Sequence, residues 1–168
     1  ALDPARKIFC DTETIGLYGK VRLFQAFQPH LPEVLIVEWP NELQLAAELS
    51  RFHSVWQNAH YDITTIQAQT STRWIPEKLD DTFLLARLAL PRLESFSLDT
   101  IMTSVLGYDP YAKQGLDKKK LQGSDWSKSI LSPQQLAYAA TDVWHLPTVY
   151  DAVRTADSMF SYKLDMTT

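Results

Sequence analysis

A short apolar segment near the start of the chain leads directly into two acidic residues. Residues 8–10 are apolar, and they are followed by Asp11 and Glu13 with only Thr12 between them. Successive side chains of a strand point to opposite faces, so Asp11 and Glu13 share a face while Thr12 points away. Two carboxylates at that spacing repel each other unless a cation lies between them. The ordinary alternative is that one acid caps a turn and the other is solvated.

The apolar periodicity of the chain predicts strands first and helices later, with alternation between them. Strands are predicted at residues 7–10, 21–27, 33–39 and 54–58. Helices are predicted at residues 41–52, 61–69, 81–90, 97–107 and 132–146. This order indicates an α/β fold in which a mixed β-sheet is flanked by α-helices.

Length and composition limit the class of protein. With 168 residues, of which 45% are hydrophobic, the chain has material for one core, and we expect a single domain over residues 1–168. No apolar run is long enough to span a bilayer and no secretory signal begins the sequence, which together favour the cytoplasm. Cys10, the only cysteine, has apolar neighbours and is expected to be a packed thiol.

The net charge of −4 argues against a protein that coats nucleic acid through a wide basic face. An acidic site that carries divalent cations can nevertheless receive a phosphodiester. The local basic run at residues 118–120 either binds the phosphate backbone of a nucleic-acid strand or forms a solvated surface.

Two further acids follow later in the chain. Asp62 is predicted in the first turn of a helix, where the helix dipole favours a carboxylate but where capping acids are also routine. Asn58, just before that helix, either orients a phosphate or closes a turn. Tyr138 and Asp142 are four residues apart on the best-defined predicted helix, so they share a face. That helix is otherwise largely apolar, and an acid on it is costly unless something compensates its charge.

The four acids are more informative together than singly. Carboxylates from one strand end and two helices offer the oxygen ligands that two hard cations require. Two such ions about 3.5–4 Å apart can activate a water and stabilise the leaving oxygen of a phosphodiester. The four acids are Asp11, Glu13, Asp62 and Asp142.

The ordered segments "DTET", "NAHYD" and "YAATD" resemble the three motifs of the DEDDy branch of the 3′-5′ exonucleases. The segment "SDWSKSILSPQQLAYAATDVWHL" is similar to ribonuclease D and its small relatives, and the likeness extends over about residues 8–153. The resemblance implies a ribonuclease H-like fold and two divalent metal ions, Mg²⁺ or Mn²⁺. It also implies release of nucleoside 5′-monophosphates from the 3′ ends of single-stranded nucleic acid, with RNA favoured and DNA still open.

The resemblance assigns a role to each matching residue. It implies that Asp11 bridges both metal ions and that Glu13 and Asp142 complete the first metal site. By the same resemblance, Asp62 is expected to hold the second ion, largely through water. Tyr138 is expected to orient the attacking water.

The resemblance also suggests residues that bind the substrate. The continuation "IGL" is similar to proofreading domains of family A polymerases and to small oligoribonucleases. It implies that Leu17 wedges against the terminal base, although ordinary core packing is the alternative. It also implies that Thr14, through its side chain or its amide, meets the terminal hydroxyl. Lys120 and Trp126 stand where the family approaches its substrate, but Trp126 could instead anchor its loop.

The sequence gives less support to other functions. A catalytically inactive binding module of the same fold would usually lack one of the motif acids, and all four are present. A structural Ca²⁺ site predicts clustered Asp-x-Asp loops with a glycine, which the sequence lacks. The histidine variant of the exonucleases would need a histidine at position 137, which is Ala137. Full ribonuclease D chains carry helical accessory domains, so this chain is either a stand-alone trimming module or a domain of a larger protein.

Overall fold

A five-stranded mixed sheet forms the centre of the protein in the computed structural model, which describes residues 1–167 and the side chains of residues 1–156. The sheet order is β3-β2-β1-β4-β5. β1 pairs antiparallel with β2 and β2 with β3, whereas β1–β4 and β4–β5 are parallel. The strands are β1 (Ile8–Thr14), β2 (Val21–Phe27), β3 (Leu35–Glu38), β4 (His53–Trp56) and β5 (Lys78–Asp81).

Helices cover both faces of this sheet. They are α1 (Glu42–Leu49), α2 (Ala59–Thr70), α3 (Thr82–Ala89), α4 (Leu98–Leu106), α5 (Lys118–Gln122), α6 (Pro133–Trp144) and α7 (Leu146–Thr167). The predicted mixed sheet flanked by helices is therefore confirmed. Across residues 1–167, none of the helices has the length and apolar character that a membrane span requires.

The period of two along β1 divides its side chains between two cores. Ile8 and Cys10 pack with residues of α1 and α2 on one face. Phe9 packs on the other face with Val143 of α6 and Leu146 of α7. Cys10 is fully buried, and burial raises the pKa of its thiol, as expected of a packed residue. The next residues of β1 continue this alternation and carry it into the acidic motif.

Local signals placed the start of α6 correctly. The Ser132 hydroxyl accepts a hydrogen bond from the Gln135 backbone N–H at 3.1 Å, and the Gln135 side chain accepts one from the Ser132 N–H at 2.9 Å. Pro133 occupies the first turn, where a missing N–H costs nothing. This reciprocal cap fixes the helix that carries Tyr138 and Asp142.

Several parts of the secondary structure differ from the prediction, and the short helix α5 is one element that was not predicted. β1 does not end at Cys10 but continues to Thr14, so the acidic motif is itself part of the sheet. β5 was not predicted, because its sequence "KLDD" has no apolar alternation and it gains its hydrogen bonds at the edge of the sheet, from β4. α7 was not predicted either; it starts at Leu146, immediately after α6 ends at Trp144.

One carboxylate at the end of β5 caps two helices. Asp81 accepts hydrogen bonds from the backbone N–H groups of Asn58, Ala59 and Phe83, each at 2.9 Å. Asn58 has a left-handed backbone conformation, with φ of 59°. The starts of α2 and α3 are therefore both fixed by the same edge strand.

Candidate active site

Three acids meet at the carboxyl end of β1. Asp11 and Glu13 come from the strand, and Asp142 comes from α6, which packs on that face of the sheet. Each of the three offers a carboxylate oxygen that lies within 4.8 Å of the others. We call Asp11, Glu13 and Asp142 the carboxylate cluster. It has the spacing and the all-oxygen chemistry of a site for a hard divalent cation.

Burial and mutual repulsion make the charged form of this cluster costly. Burial raises the pKa values of Asp11 and Glu13 well above their ordinary range, and the charge of Asp142 raises both further. Burial also raises the pKa of Asp142, to about 6, against the opposing effects of a hydrogen bond from Tyr111 and the charge of Lys118. A bound cation would relieve the same repulsion, so the residues present fit a divalent metal ion.

Asp62 approaches the end of β1 from the opposite face. It lies on α2, and its carboxylate accepts a hydrogen bond of 2.5 Å from the Thr12 hydroxyl. Thr12 thus points away from Asp11 and Glu13, as the strand period predicts. Asp62 does not belong to the carboxylate cluster, but it lines the same cavity. Burial raises its pKa to about 7.

Two tyrosines contact Asp142. Tyr138 precedes it by one helical turn, is 3% exposed and lines the cavity. Burial raises the pKa of Tyr138, and the negative charge of Asp142 raises it further, so its phenol keeps its proton at neutral pH. Tyr111 donates a hydrogen bond to the Asp142 Oδ1 atom. Sequence reasoning missed Tyr111, because it lies outside the three motifs and is 31 positions away from its partner.

An open cavity of about 660 Å³ gives access to all four acids. Leu17 lies at its rim with 78% of the residue exposed, which rules out core packing for this side chain. The Thr14 hydroxyl lies 2.7 Å from the Tyr61 hydroxyl and also bonds the Gly16 carbonyl. Asn58 also lines the cavity, at the start of α2. All three of these predicted substrate-binding residues therefore face the cavity.

The far wall of the cavity comes from α5 and the loop that follows it. Lys118 lines the cavity, and its Nζ lies 2.9 Å from an Asp99 carboxylate oxygen. Lys120 is exposed on the same short helix and is not among the lining residues, so the structure places it outside the cavity. Trp126 is buried against Tyr138, with ring centroids 6.1 Å apart, and also lines the cavity. The sequence identified the basic run but not which lysine faces inward.

Comparison with known proteins gives one family and a set of similar structures. The sequence model of a family described as 3′-5′ exonuclease matches residues 2–156. No curated protein matches the chain. Escherichia coli RNase D has a TM-score of 0.75 and 21% identity, over 95% of this chain and 42% of that chain. This chain therefore spans less than half the length of that enzyme.

Two further structures have the same fold. Brucella melitensis NrnC has a TM-score of 0.69 and 20% identity, over 96% of this chain and 85% of that chain. NrnC has been solved with Mg²⁺ and with pGG. Trypanosoma brucei RNase D, solved with RNA U12, has a TM-score of 0.68 and 18% identity, over 87% of this chain and 54% of that chain. At these identities the likeness confirms the ribonuclease H-like α/β fold.

Proposed function

Because the chain belongs to the 3′-5′ exonuclease family, we propose that it removes nucleoside 5′-monophosphates from the 3′ ends of single-stranded nucleic acid. The observation that carries this proposal is the carboxylate cluster, whose oxygens gather within 4.8 Å at the edge of an open cavity. We favour RNA over DNA because the structural relatives include RNase D and an NrnC solved with pGG. Selection of RNA would depend on contacts to the 2′-hydroxyl.

The acids are proposed to hold two divalent ions, Mg²⁺ or Mn²⁺. Asp11, Glu13 and Asp142 would hold the first ion, since their oxygens already lie close enough to share one cation. Asp11 would share the second ion with Asp62, which faces the cavity from the other side of β1. When bound, such ions lower the pKa of a water and stabilise the leaving oxygen of a phosphodiester.

Tyr138 is proposed to align the attacking water. Tyr138 lines the cavity beside Asp142, and its raised pKa keeps the phenol protonated at neutral pH. It would therefore act by hydrogen bonding and not as a general base. The proton of the water would leave toward solvent through the open side of the cavity.

Residues of the cavity, together with Lys120 outside it, are proposed to hold the 3′ end of the nucleic acid. Leu17, exposed at the rim, would wedge against the terminal base, and Thr14 would meet the terminal hydroxyl. Lys118 would contact a phosphate inside the cavity. Lys120 would contact the nucleic acid where it leaves the cavity. Asn58 and Trp126, which line the same cavity, would shape its walls.

The test is cleavage of 5′-labelled single-stranded RNA and DNA of matched sequence, resolved at single-nucleotide steps. Each strand is incubated with Mg²⁺, with Mn²⁺ and with EDTA, beside Asp11→Asn as the inactive control. We expect a metal-dependent ladder that shortens from the 3′ end, with RNA cut faster than DNA. Absence of cleavage by a folded wild-type protein in either metal would refute the enzyme and favour a binding module of the same fold.

A further inference from the structure

Tyr111 contacts the carboxylate cluster from outside the three sequence motifs. The residue is 1% exposed, and its hydroxyl donates a hydrogen bond to the Asp142 Oδ1 atom. Its ring centroid lies 5.8 Å from that of Tyr138 and 5.1 Å from the Lys118 Nζ atom. The hydroxyl is thus enclosed by the groups that surround the proposed metal site.

The backbone around Tyr111 is held in place by its own hydrogen bonds. The Asp109 carboxylate accepts from the N–H of Tyr111 at 2.9 Å. The Tyr111 carbonyl accepts from the N–H groups of Gln114 at 2.9 Å and Leu116 at 3.0 Å. This closed turn fixes the point from which the tyrosine side chain reaches Asp142.

The same turn is attached to α6 at a second position. The Gln114 side-chain amide donates to the Thr141 hydroxyl at 2.9 Å, one residue before Asp142. Two consecutive residues of α6 are therefore bound by one loop. Because the loop engages the helix twice, the contact between Tyr111 and Asp142 has a defined geometry.

Tyr111 and Tyr138 differ in what they can reach. Tyr138 lines the cavity, whereas Tyr111 is absent from its lining and lies behind Asp142. Nucleic acid bound in the cavity would therefore contact Tyr138 and not Tyr111. The Tyr111 hydroxyl donates to the Asp142 carboxylate, so its removal acts on the site first through that acid.

We propose that Tyr111 is a positioning residue that holds one oxygen of Asp142 and so orients the carboxylate for a divalent cation shared with Asp11 and Glu13. The inference rests on the proposed function, since the cation belongs to it. Hydrogen-bond partners behind metal-binding carboxylates commonly change metal affinity or activity about 10- to 100-fold when they are removed. Tyr111 fits that role because it is buried, donates a hydrogen bond directly to Asp142 and does not line the cavity that would hold the substrate.

The experiment compares Tyr111→Phe with Tyr108→Phe. The first variant deletes the hydroxyl and keeps the ring in its packing, and the second deletes an exposed hydroxyl three residues earlier. Mn²⁺ is titrated calorimetrically into each metal-free protein without nucleic acid. Cleavage of labelled RNA is then measured against Mg²⁺ concentration, and circular dichroism records thermal unfolding without metal.

For Tyr111→Phe we expect Mn²⁺ affinity to fall about tenfold and the half-saturating Mg²⁺ concentration to rise by a similar factor, with activity largely restored at saturating Mg²⁺. Tyr108→Phe should match the wild type in each measurement. Unchanged metal affinity in Tyr111→Phe, or a variant that is unfolded before metal is added, would assign Tyr111 a purely structural role and overturn the inference.

The two proposals fail in different ways. A wild-type protein that neither binds Mn²⁺ nor cleaves RNA overturns the proposed function and, with it, this inference. A wild-type protein that does both, beside a Tyr111→Phe variant with the same metal dependence, overturns the inference alone.

Discussion

Two helices approach the carboxyl end of β1 from opposite faces of the sheet, and each delivers one acid. α6 places Asp142 beside the two acids of the strand, where two tyrosines contact it. α2 places Asp62 against the hydroxyl of Thr12, on the other side of β1. Both carboxylates are buried, and burial raises the pKa of both, to about 6 for Asp142 and about 7 for Asp62.

The difference lies in the neighbours of each acid and not in its burial. Asp142 belongs to a crowded group of like charges and is supported by the Tyr111 hydroxyl and the charge of Lys118. Asp62 is outside that group and is supported by the Thr12 hydroxyl and by backbone hydrogen bonds. We therefore propose that these two equally buried acids hold their cations differently. Asp142 would contact its cation closely, and Asp62 would hold a more distant one.

The largest effect is expected on the α6 side. Asp142→Asn removes one of three carboxylates that would share an ion, and cleavage of labelled RNA should fall at least about a thousandfold, or about 4 kcal/mol in the barrier. Circular dichroism should show an intact fold. Measurable turnover within tenfold of the wild type would contradict the role of the carboxylate cluster.

A smaller loss is expected on the α2 side. Asp62→Asn should reduce cleavage about a hundredfold, or about 2.7 kcal/mol in the barrier, because this acid lies outside the carboxylate cluster. The exposed acid Asp151 provides the control, since Asp151→Asn should leave the rate unchanged. Equal losses for Asp62→Asn and Asp142→Asn would remove the distinction between the two helices.

The pH dependence of stability tests the burial of Asp62 without any measurement of catalysis. The pKa of Asp62 is raised in the folded protein, so the folded state binds a proton more tightly than the unfolded state. Without metal, the free energy of unfolding should fall relative to that of Asp62→Asn as pH rises from about 4 toward 7, by about 3 kcal/mol. Urea unfolding in EDTA at several pH values measures this gap. If the difference in free energy of unfolding between the wild type and Asp62→Asn did not change with pH, the raised pKa of Asp62 would be contradicted.

The smallest effect is expected at the hydroxyl that supports Asp62. Thr12→Val removes that donor while keeping the shape of the side chain, and it should slow cleavage several-fold, equivalent to about 1 kcal/mol. Thr65→Val is the matched control, since Thr65 is equally buried and its hydroxyl has no hydrogen-bond partner among the described residues. Equal rates of RNA cleavage by Thr12→Val and Thr65→Val would show that Thr12 does not position Asp62.

Local rules were sufficient for much of this arrangement. The period of two along β1 placed Asp11 and Glu13 on one face, and the capping box fixed the start of α6. The four-residue spacing of Tyr138 and Asp142 then put both side chains on one face of that helix, beside the cavity. Each of these signals lies within a few residues, where backbone geometry alone decides direction.

The parts that were missed depend on contacts between distant segments. β5 has a polar sequence and is a strand only because β4 lies beside it. Tyr111 reaches Asp142 because a closed turn and α6 meet in space. Lys118 faces the cavity and Lys120 does not, which follows from the rotation of a five-residue helix against its neighbours. No local pattern encodes any of these three.

The double cap made by Asp81 has a consequence for the order in which the protein folds. β1, β2 and β3 are joined by short connections and can pair early, whereas β5 joins β4 in parallel, with Ser54 opposite Leu79. Only that late pairing brings Asp81 to the backbone N–H groups that begin α2, the helix of Asp62. On refolding from denaturant, we therefore expect the antiparallel strands to form first and the full set of acids to assemble last.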